Sequence, residues 1–264
     1  MEKPKFDITH KRKLLYKRKR KRQLIFRLCI ILCGICILSL ILLMNNKNYV
    51  NKKIAFSSRD EDKTIVCIDP GHGDWDTGAK GSSGSLEKNI VLDISLKLGK
   101  ILEENEIKVI YTRTNDLLPG VKTANDSLKE RIKISEIFKA DLFISIHCNS
   151  NNDNKDSKGI ETWYKNNDEN SKNLAQIIQN TLTELNYTED RGLKTYESKD
   201  DALAVLKLNN NIPVLVELGF LSNSYDEKYL KSDSGQESVA KAISRSLLQY
   251  IEENKDIISE ERKK

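Results

Sequence analysis

An α/β fold, with a mostly parallel mixed sheet, helices on both of its faces and one transmembrane helix ahead of it, is what this 264-residue sequence predicts. Three observations carry that expectation. Short runs rich in β-branched residues, such as Ile65-Val66-Cys67-Ile68 and Val214-Leu215-Val216, are apolar at successive positions, as strands buried on both faces are. Longer stretches with apolar residues every three or four positions separate such runs, so strand and helix alternate as a parallel sheet requires. Near the amino terminus, the chargeless run from Leu28 to Met44 is far longer than a strand and is apolar almost throughout.

Residues 1–27 hold twelve Lys or Arg against Glu2 and Asp7, a balance of +10, so the remainder sums to −5 although the whole chain is +5. The basic balance is therefore local. The run Lys17–Arg22 abuts an apolar span, the arrangement that sets membrane topology, and no nucleic-acid partner is expected from it. Leu24-Ile25-Phe26 extends the span past Arg27, whose side chain can snorkel, giving an anchor over 24–44 that is just long enough to cross a bilayer. A cytoplasmic basic tail, 1–23, then places everything after Met44 outside the cell in a single-pass protein. The alternative is a cleaved signal peptide, but no small-x-small site follows the span. Residues 45–62 are polar and aperiodic, a linker whose coil dimension is on the order of 20–25 Å. One folded domain is expected over 63–252, with a charged, solvated tail over 253–264.

Within that domain Ile65–Ile68 is the first strand, stopped by the turn chemistry of Asp69-Pro70-Gly71. Helical spacing of Ile90, Val91, Ile94, Leu98 and Leu102 predicts a helix over Glu87–Glu104. Strand Ile107–Thr112, helix Leu128–Lys139, strand Leu142–Ile146, loop Asn149–Lys158 and strand Ile160–Tyr164 follow. Ser171 is the expected cap of a helix over Ser171–Leu185. A short element at Ala204–Leu208, a buried strand Val214–Leu218 and a helix Gln236–Glu253 complete the order. Of the five cysteines, Cys29, Cys33 and Cys36 fill the anchor, Cys67 reads as core, and Cys148 is left open as ligand or core. A Cys67–Cys148 disulfide is not expected.

Histidine is scarce, and its placement is informative. Two of the three, His72 and His147, stand at the ends of buried strands, so the sheet would bring them to one edge, where open α/β proteins place their sites. A lone histidine in a glycine-flanked turn is as often a plain surface residue; the convergence of two is what suggests a metal. Glu87 opens the helix after the His72 loop and can face the same ion, although a carboxylate there also suits the helix dipole. Glu217 lies within Val214–Phe220, where burying a glutamate is costly without a partner or a raised pKa. Two histidines and a glutamate with a position left for water make a catalytic rather than a closed structural zinc set, and a proton-hungry glutamate beside it is a general base. That chemistry is metal-assisted amide hydrolysis. The Gly71–Gly84 stretch lacks the ending of a phosphate-binding loop.

The motifs Asp69-Pro70-Gly71-His72-Gly73, Leu86-Glu87-Lys88, Ser145-Ile146-His147-Cys148-Asn149 and Val216-Glu217-Leu218-Gly219-Phe220-Leu221-Ser222-Asn223 resemble, in order and spacing, the zinc-dependent N-acetylmuramoyl-L-alanine amidases of the amidase-3 family. The resemblance covers roughly Lys63 to Tyr250. It implies a zinc amidase/exopeptidase-like sheet, Zn2+ held by His72, Glu87 and His147, and Glu217 as the catalytic glutamate. It also implies a peptidoglycan substrate, cut at the amide between the muramic acid lactyl group and the first alanine of the stem peptide. Arg131 matches a family position and is taken as a second catalytic residue, though a surface salt bridge accounts for it equally. Arg191-Gly192-Leu193-Lys194 matches too. Asp74 stands where the family usually has a second glycine, and Thr77 where it often has proline. The short Asn149–Lys158 loop has no room for the helical insertion that blocks some relatives, which implies a constitutively open site or an activating protein partner. Cell separation and spore-cortex maturation are both compatible roles. A different zinc peptidase acting on wall peptides, or an inactive wall-binding module, are the competing readings.

Overall fold

The structure, a computed structural model, describes residues 63–196 and 203–262. The expected tail, anchor and linker at 1–62 lie outside the described residues. Among those described, no helix is long and apolar enough to cross a membrane.

The elements run β1 (Ile65–Pro70), α1 (Glu87–Glu104), β2 (Lys108–Tyr111), α2 (Ala124–Ile137), β3 (Leu142–Asn149), β4 (Ile160–Tyr164), α3 (Glu169–Thr183), β5 (Asp190–Lys194), α4 (Ala204–Lys207), β6 (Ile212–Phe220), α5 (Ser224–Leu230), α6 (Asp233–Glu253) and α7 (Lys255–Glu261). They build one six-stranded sheet in the order β2-β1-β3-β6-β4-β5. Neighbours are parallel except β4 and β6, which run antiparallel, so the sheet is mostly parallel and mixed, as the buried runs predict. After β1 the chain passes to β2 on one side and returns to β3 on the other. Ligands of open α/β sheets sit at the carboxyl ends of strands at such a reversal, here between β1 and β3.

Strand alternation sorts the residues into two unlike faces. Val66 and Ile68, Leu142, Ile144 and Ile146, and Val214, Val216 and Leu218 point to one face, where they pack against the apolar stripes of α1, α3 and α6. The intervening residues, among them Asp69, Ser145, His147, Glu217 and Glu161, belong to the other face. There α2 is held through Arg131 to Asp69 and through Ser135 to Asn211.

Several boundaries differ from expectation for local reasons. Helix α2 starts four residues early because Thr123 caps it, accepting a hydrogen bond from the Asp126 amide at 3.1 Å, and its first turn is too polar to show periodicity. Helix α3 is capped by Asp168, not Ser171; the Ser171 hydroxyl is buried in the first turn and donates to the Pro213 carbonyl. Strand β5 was not expected, because the edge sequence Asp-Arg-Gly-Leu-Lys has no apolar alternation. Nor was α5, whose cap Asn223 accepts from the amides of Tyr225 and Asp226. The charged stretch after Glu252 is helical rather than a solvated tail. Ile258 of α7 is buried, and Arg262 clasps the Asp141 carboxylate at 2.6 and 2.7 Å.

Candidate functional site

The His72 turn is shaped by what approaches it. A Cβ at Gly71 would land on the His147 imidazole, so only glycine fits between the two histidines. His72 has φ +60°, a left-handed conformation that a non-glycine residue adopts at a cost of about 1–2 kcal/mol. Paired hydrogen bonds between Gly73 and Asp76 close the turn behind it, and Asp74 is also left-handed, at φ +54°. Glycine adopts that conformation freely, and aspartate is among the few other residues that tolerate it. Two buried arginines fix the turn from below. Arg113 donates to the carbonyls of Pro70 and Gly71 at 3.0 and 2.7 Å, and Arg131 donates to the carbonyl of His72 at 2.9 Å.

The expected ligands come together. His72 Nε2, Glu87 Oε1 and His147 Nδ1 form a triangle with edges of 3.1, 3.1 and 3.2 Å. Tetrahedral zinc with bonds of about 2.0–2.1 Å spaces its ligand atoms roughly 3.3 Å apart, so the donor set fits that ion closely. Glu87 is 2% exposed at the first position of α1; its Oε2 accepts from the Ala79 amide at 2.8 Å and its Oε1 from the Cys148 amide at 2.9 Å. Burial pushes the Glu87 carboxyl up, but hydrogen bonds from His147 and His72 outweigh it and hold the group well below the usual carboxylate range. His72 shows the complementary effect: burial lowers its pKa, and hydrogen bonding to Glu87 with the charges of Glu87 and Asp76 raises it overall.

Glu217 faces the same opening from the next strand, paired in register with His147. Its Oε2 is buried and has no hydrogen-bond partner. Burial, then the negative charges of Glu87 and Glu161, push its carboxyl well above the usual range. A buried orphan oxygen of this kind is aimed at something other than protein. The opening is a cavity of about 460 Å³, bordered by His72, Glu87, His147 and Glu217 and on its far side by α2 and Val205.

Arg131 does form a salt bridge, but a buried one. It meets Asp69 at 3.0 Å; Asp69 is fully buried and also accepts from Thr112 at 2.6 Å and Ser145 at 2.7 Å. Burial raises the Asp69 carboxyl, and the Arg131 charge with these hydroxyls more than offsets it, leaving the pKa lowered. The open question over Cys148 is resolved by alternation: it belongs to the apolar core, and burial pushes its thiol well up. Cys67 and Cys148 are both free.

Two functional residues escaped the sequence reading. Asp76 Oδ2 lies 2.9 Å from His72 Nδ1, and its Oδ1 accepts from the Gly78 amide at 3.1 Å. With the Nε2 lone pair turned to the ligand triangle, Nδ1–H is the donor, so Asp76 sets the tautomer and the ring angle. The signal was a carboxylate four residues past the histidine. Glu161 pairs in register with Glu217 on β4, and its signal was the one that exposed Glu217: an acid inside an apolar run.

Comparisons with known proteins point to one family. A profile described as N-acetylmuramoyl-L-alanine amidase matches residues 66–249. The N-acetylmuramoyl-L-alanine amidase LytC of Bacillus subtilis is 37% identical over 187 residues, 70% of this chain but 35% of its own length. The chain thus spans about a third of that relative. The germination-specific N-acetylmuramoyl-L-alanine amidase of the same organism is 33% identical over 202 residues, covering 73% of this chain and 81% of its own. Among solved structures, the CwlD amidase from Clostridioides difficile, in complex with the GerS lipoprotein, superposes with a TM-score of 0.64 at 32% identity, covering 72% of this chain and 99% of CwlD. The amidase AmiC2 of Nostoc punctiforme gives 0.64 at 32%, covering 72% and 97%. Since the profile match runs from the first strand to the last long helix, the chain belongs to the N-acetylmuramoyl-L-alanine amidase family, the amidase-3 cell-wall hydrolases.

Proposed function

We propose that this protein hydrolyses the amide between the muramic acid lactyl group and the L-alanine of peptidoglycan stem peptides. The observation that carries the reading is the 3.1–3.2 Å triangle of His72, Glu87 and His147 with the orphan carboxyl of Glu217 one strand away. Zinc, when bound by those three residues, supplies Lewis acidity to the scissile carbonyl and acidifies a water for attack. Glu217 takes the proton from the attacking water and returns it to the departing alanine nitrogen, the task for which a raised pKa suits it. Asp76 holds His72 through Nδ1, and the Ala79 and Cys148 amides hold Glu87, so the donor set is fixed before any ligand arrives. Arg131, expected among the catalytic residues, works as a positioning residue: it ties α2 to Asp69 and pins the left-handed carbonyl of His72.

The sequence of residues 1–44 supports a single-pass protein with its amino terminus cytoplasmic and its catalytic domain outside, where peptidoglycan lies. No helix interrupts residues 150–159, which supports a site open to substrate or one controlled by a separate protein. That CwlD is solved with a lipoprotein supports the second of these for this chain.

Zinc content and release of stem peptides with N-terminal alanine, measured on the purified protein beside His72→Ala, test the assignment. One equivalent of zinc and free stem peptides, both lost in the variant, are expected. Peptides that keep the lactyl–alanine bond would replace it with another zinc peptidase activity.

A further inference from the structure

Past Glu217 the open face of the sheet continues in side chains that the hydrolytic step does not use. His147, Glu217 and Glu161 occupy matched positions on β3, β6 and β4, and Arg191 of the edge strand β5 reaches Glu161. Strands repeat every ~4.8 Å, so this polar row leads outward from the ligand triangle by one strand width per residue.

Glu161 is 5% exposed and its oxygens are spoken for. Oε1 accepts from Asn149 Nδ2 at 3.1 Å and Trp163 Nε1 at 3.2 Å, and Oε2 accepts from Arg191 Nε at 2.8 Å. It is a buried anionic post held in place by three donors. Arg191 is different, because only part of it is committed. Its Nε is tied to Glu161, and its guanidinium lies 4.9 Å from the centre of the Phe220 ring. Its aliphatic stem rests on Gly159, whose φ is +118° and where a Cβ would meet Arg191 Cγ at 2.6 Å. Among the described residues, Nη1 and Nη2 have no partner, and the side chain is 39% exposed. An arginine held at its Nε, its face and its stem while its two-nitrogen end stays open is preorganised for a carboxylate, which accepts from both nitrogens at once. Little side-chain freedom remains to be lost on binding.

We propose that Arg191 is a carboxylate-binding subsite for the stem peptide. Resting on the amidase reading above, this names the feature recognised: the first free carboxylate of the stem, on the residue after the alanine. The columns carrying Glu217 and Arg191 are two strand spacings apart, about 10 Å. From the scissile nitrogen to the carboxylate of the next residue an extended peptide spans two residues, about 7 Å, and the Arg191 side chain, which reaches across to Glu161 on β4, closes the remainder. Peptide bound this way leaves along β4 and β5, and the glycan lies on the α2 side of the cleft.

The test uses the purified full chain and two muropeptides that differ only at that residue, one with the free carboxylate and one with the carboxamide. Wild type is expected to favour the carboxylate by about tenfold or more in kcat/KM, the range of a hydrogen-bonded charge, and chiefly through KM. In Arg191→Gln the preference falls to near one. Arg191→Lys keeps a cation beside Glu161 without the two-nitrogen end, and is expected to recover part of the preference; it carries the test should the glutamine variant not fold. No preference in wild type overturns the proposal. So does an equal loss on both substrates in Arg191→Gln, which would make Arg191 a support for Glu161 alone. Cleavage of both substrates that leaves the lactyl–alanine bond intact overturns the amidase reading itself, and the subsite with it.

Discussion

The two faces of the sheet are made from the same strands, residue by residue in alternation, yet obey opposite rules. On the face under α1, α3 and α6, Ile68, Ile144, Val216 and their neighbours are buried apolar side chains whose contribution is removal from water. On the other face Asp69, Ser145, His147, Glu217 and Glu161 occupy the interleaved positions, and each is either fully hydrogen-bonded or left deliberately short of a partner. The comparison teaches how the domain holds a polar, strained site without falling apart. The apolar layer is continuous on one side of each strand, whereas on the other Cys67, Phe143 and Leu215 are buried alongside polar residues, with His147 and Glu217 left near the carboxyl ends to carry chemistry.

The sharpest way to break the comparison is to alter the chemical face without touching the core. Glu217→Gln keeps the shape of the side chain and removes the proton acceptor, so turnover is expected to fall by about 10²–10⁴-fold. Its thermal unfolding should stay close to wild type; a loss of fold in parallel with activity would show that Glu217 is structural. Next in size is Arg131→Met, which strands the Asp69 charge in the interior and is expected to destabilise by about 3–5 kcal/mol in urea unfolding. The Asp69–Arg131 pair also has a pH signature. Because the folded pKa of Asp69 is lowered, its stabilisation is complete above its ordinary value of 3.8 and is lost as pH falls through the folded value. Asp69→Asn should flatten that acid limb of the stability profile.

On the apolar face, Leu98→Ala removes a fully buried side chain of α1 and is expected to cost about 2–5 kcal/mol of stability. The fraction that remains folded should turn over substrate at the wild-type rate, and a large drop in kcat would mean that the faces are coupled more tightly than their separation implies. The smallest expected effect is at Asp76. Asp76→Asn should weaken zinc binding by about 10–100-fold in competition with a chelator while the fold is retained. Unchanged affinity would show that the left-handed turn alone aims His72.

Much of the chemical face was legible because it violates local rules: histidines closing buried strands, and an acid inside Val214–Phe220. The register that sets His147 beside Glu217 follows from parallel pairing once both strands are recognised. What was not legible depends on contacts distant in sequence. Nothing near Arg131 says that its partner is Asp69, 62 residues away, rather than solvent. Strand β5 exists because β4 offers it an edge, not because its own residues prefer to be extended. Ser171 resembles a cap until Asp168 is seen to do that work. Helix α7 was hidden by its charge, since one buried isoleucine and one arginine clasp suffice to dock it.

That clasp bears on how the domain can be handled. Asp141 takes both the Arg262 guanidinium and the Ile65 amide, and Arg262 also reaches the Lys63 carbonyl at 2.9 Å, so the first and last described residues meet at the amino edge of the sheet. Six residues of β1, about 20 Å, separate that edge from the histidines. Joining 262 to 63 by a short connection and reopening the chain between the exposed residues Asp153 and Asn154 should give a circular permutant with the cleft intact. Likewise, a reporter or a solid support coupled directly at residue 63 or 262 sits at the pole opposite the catalytic opening and does not shadow it.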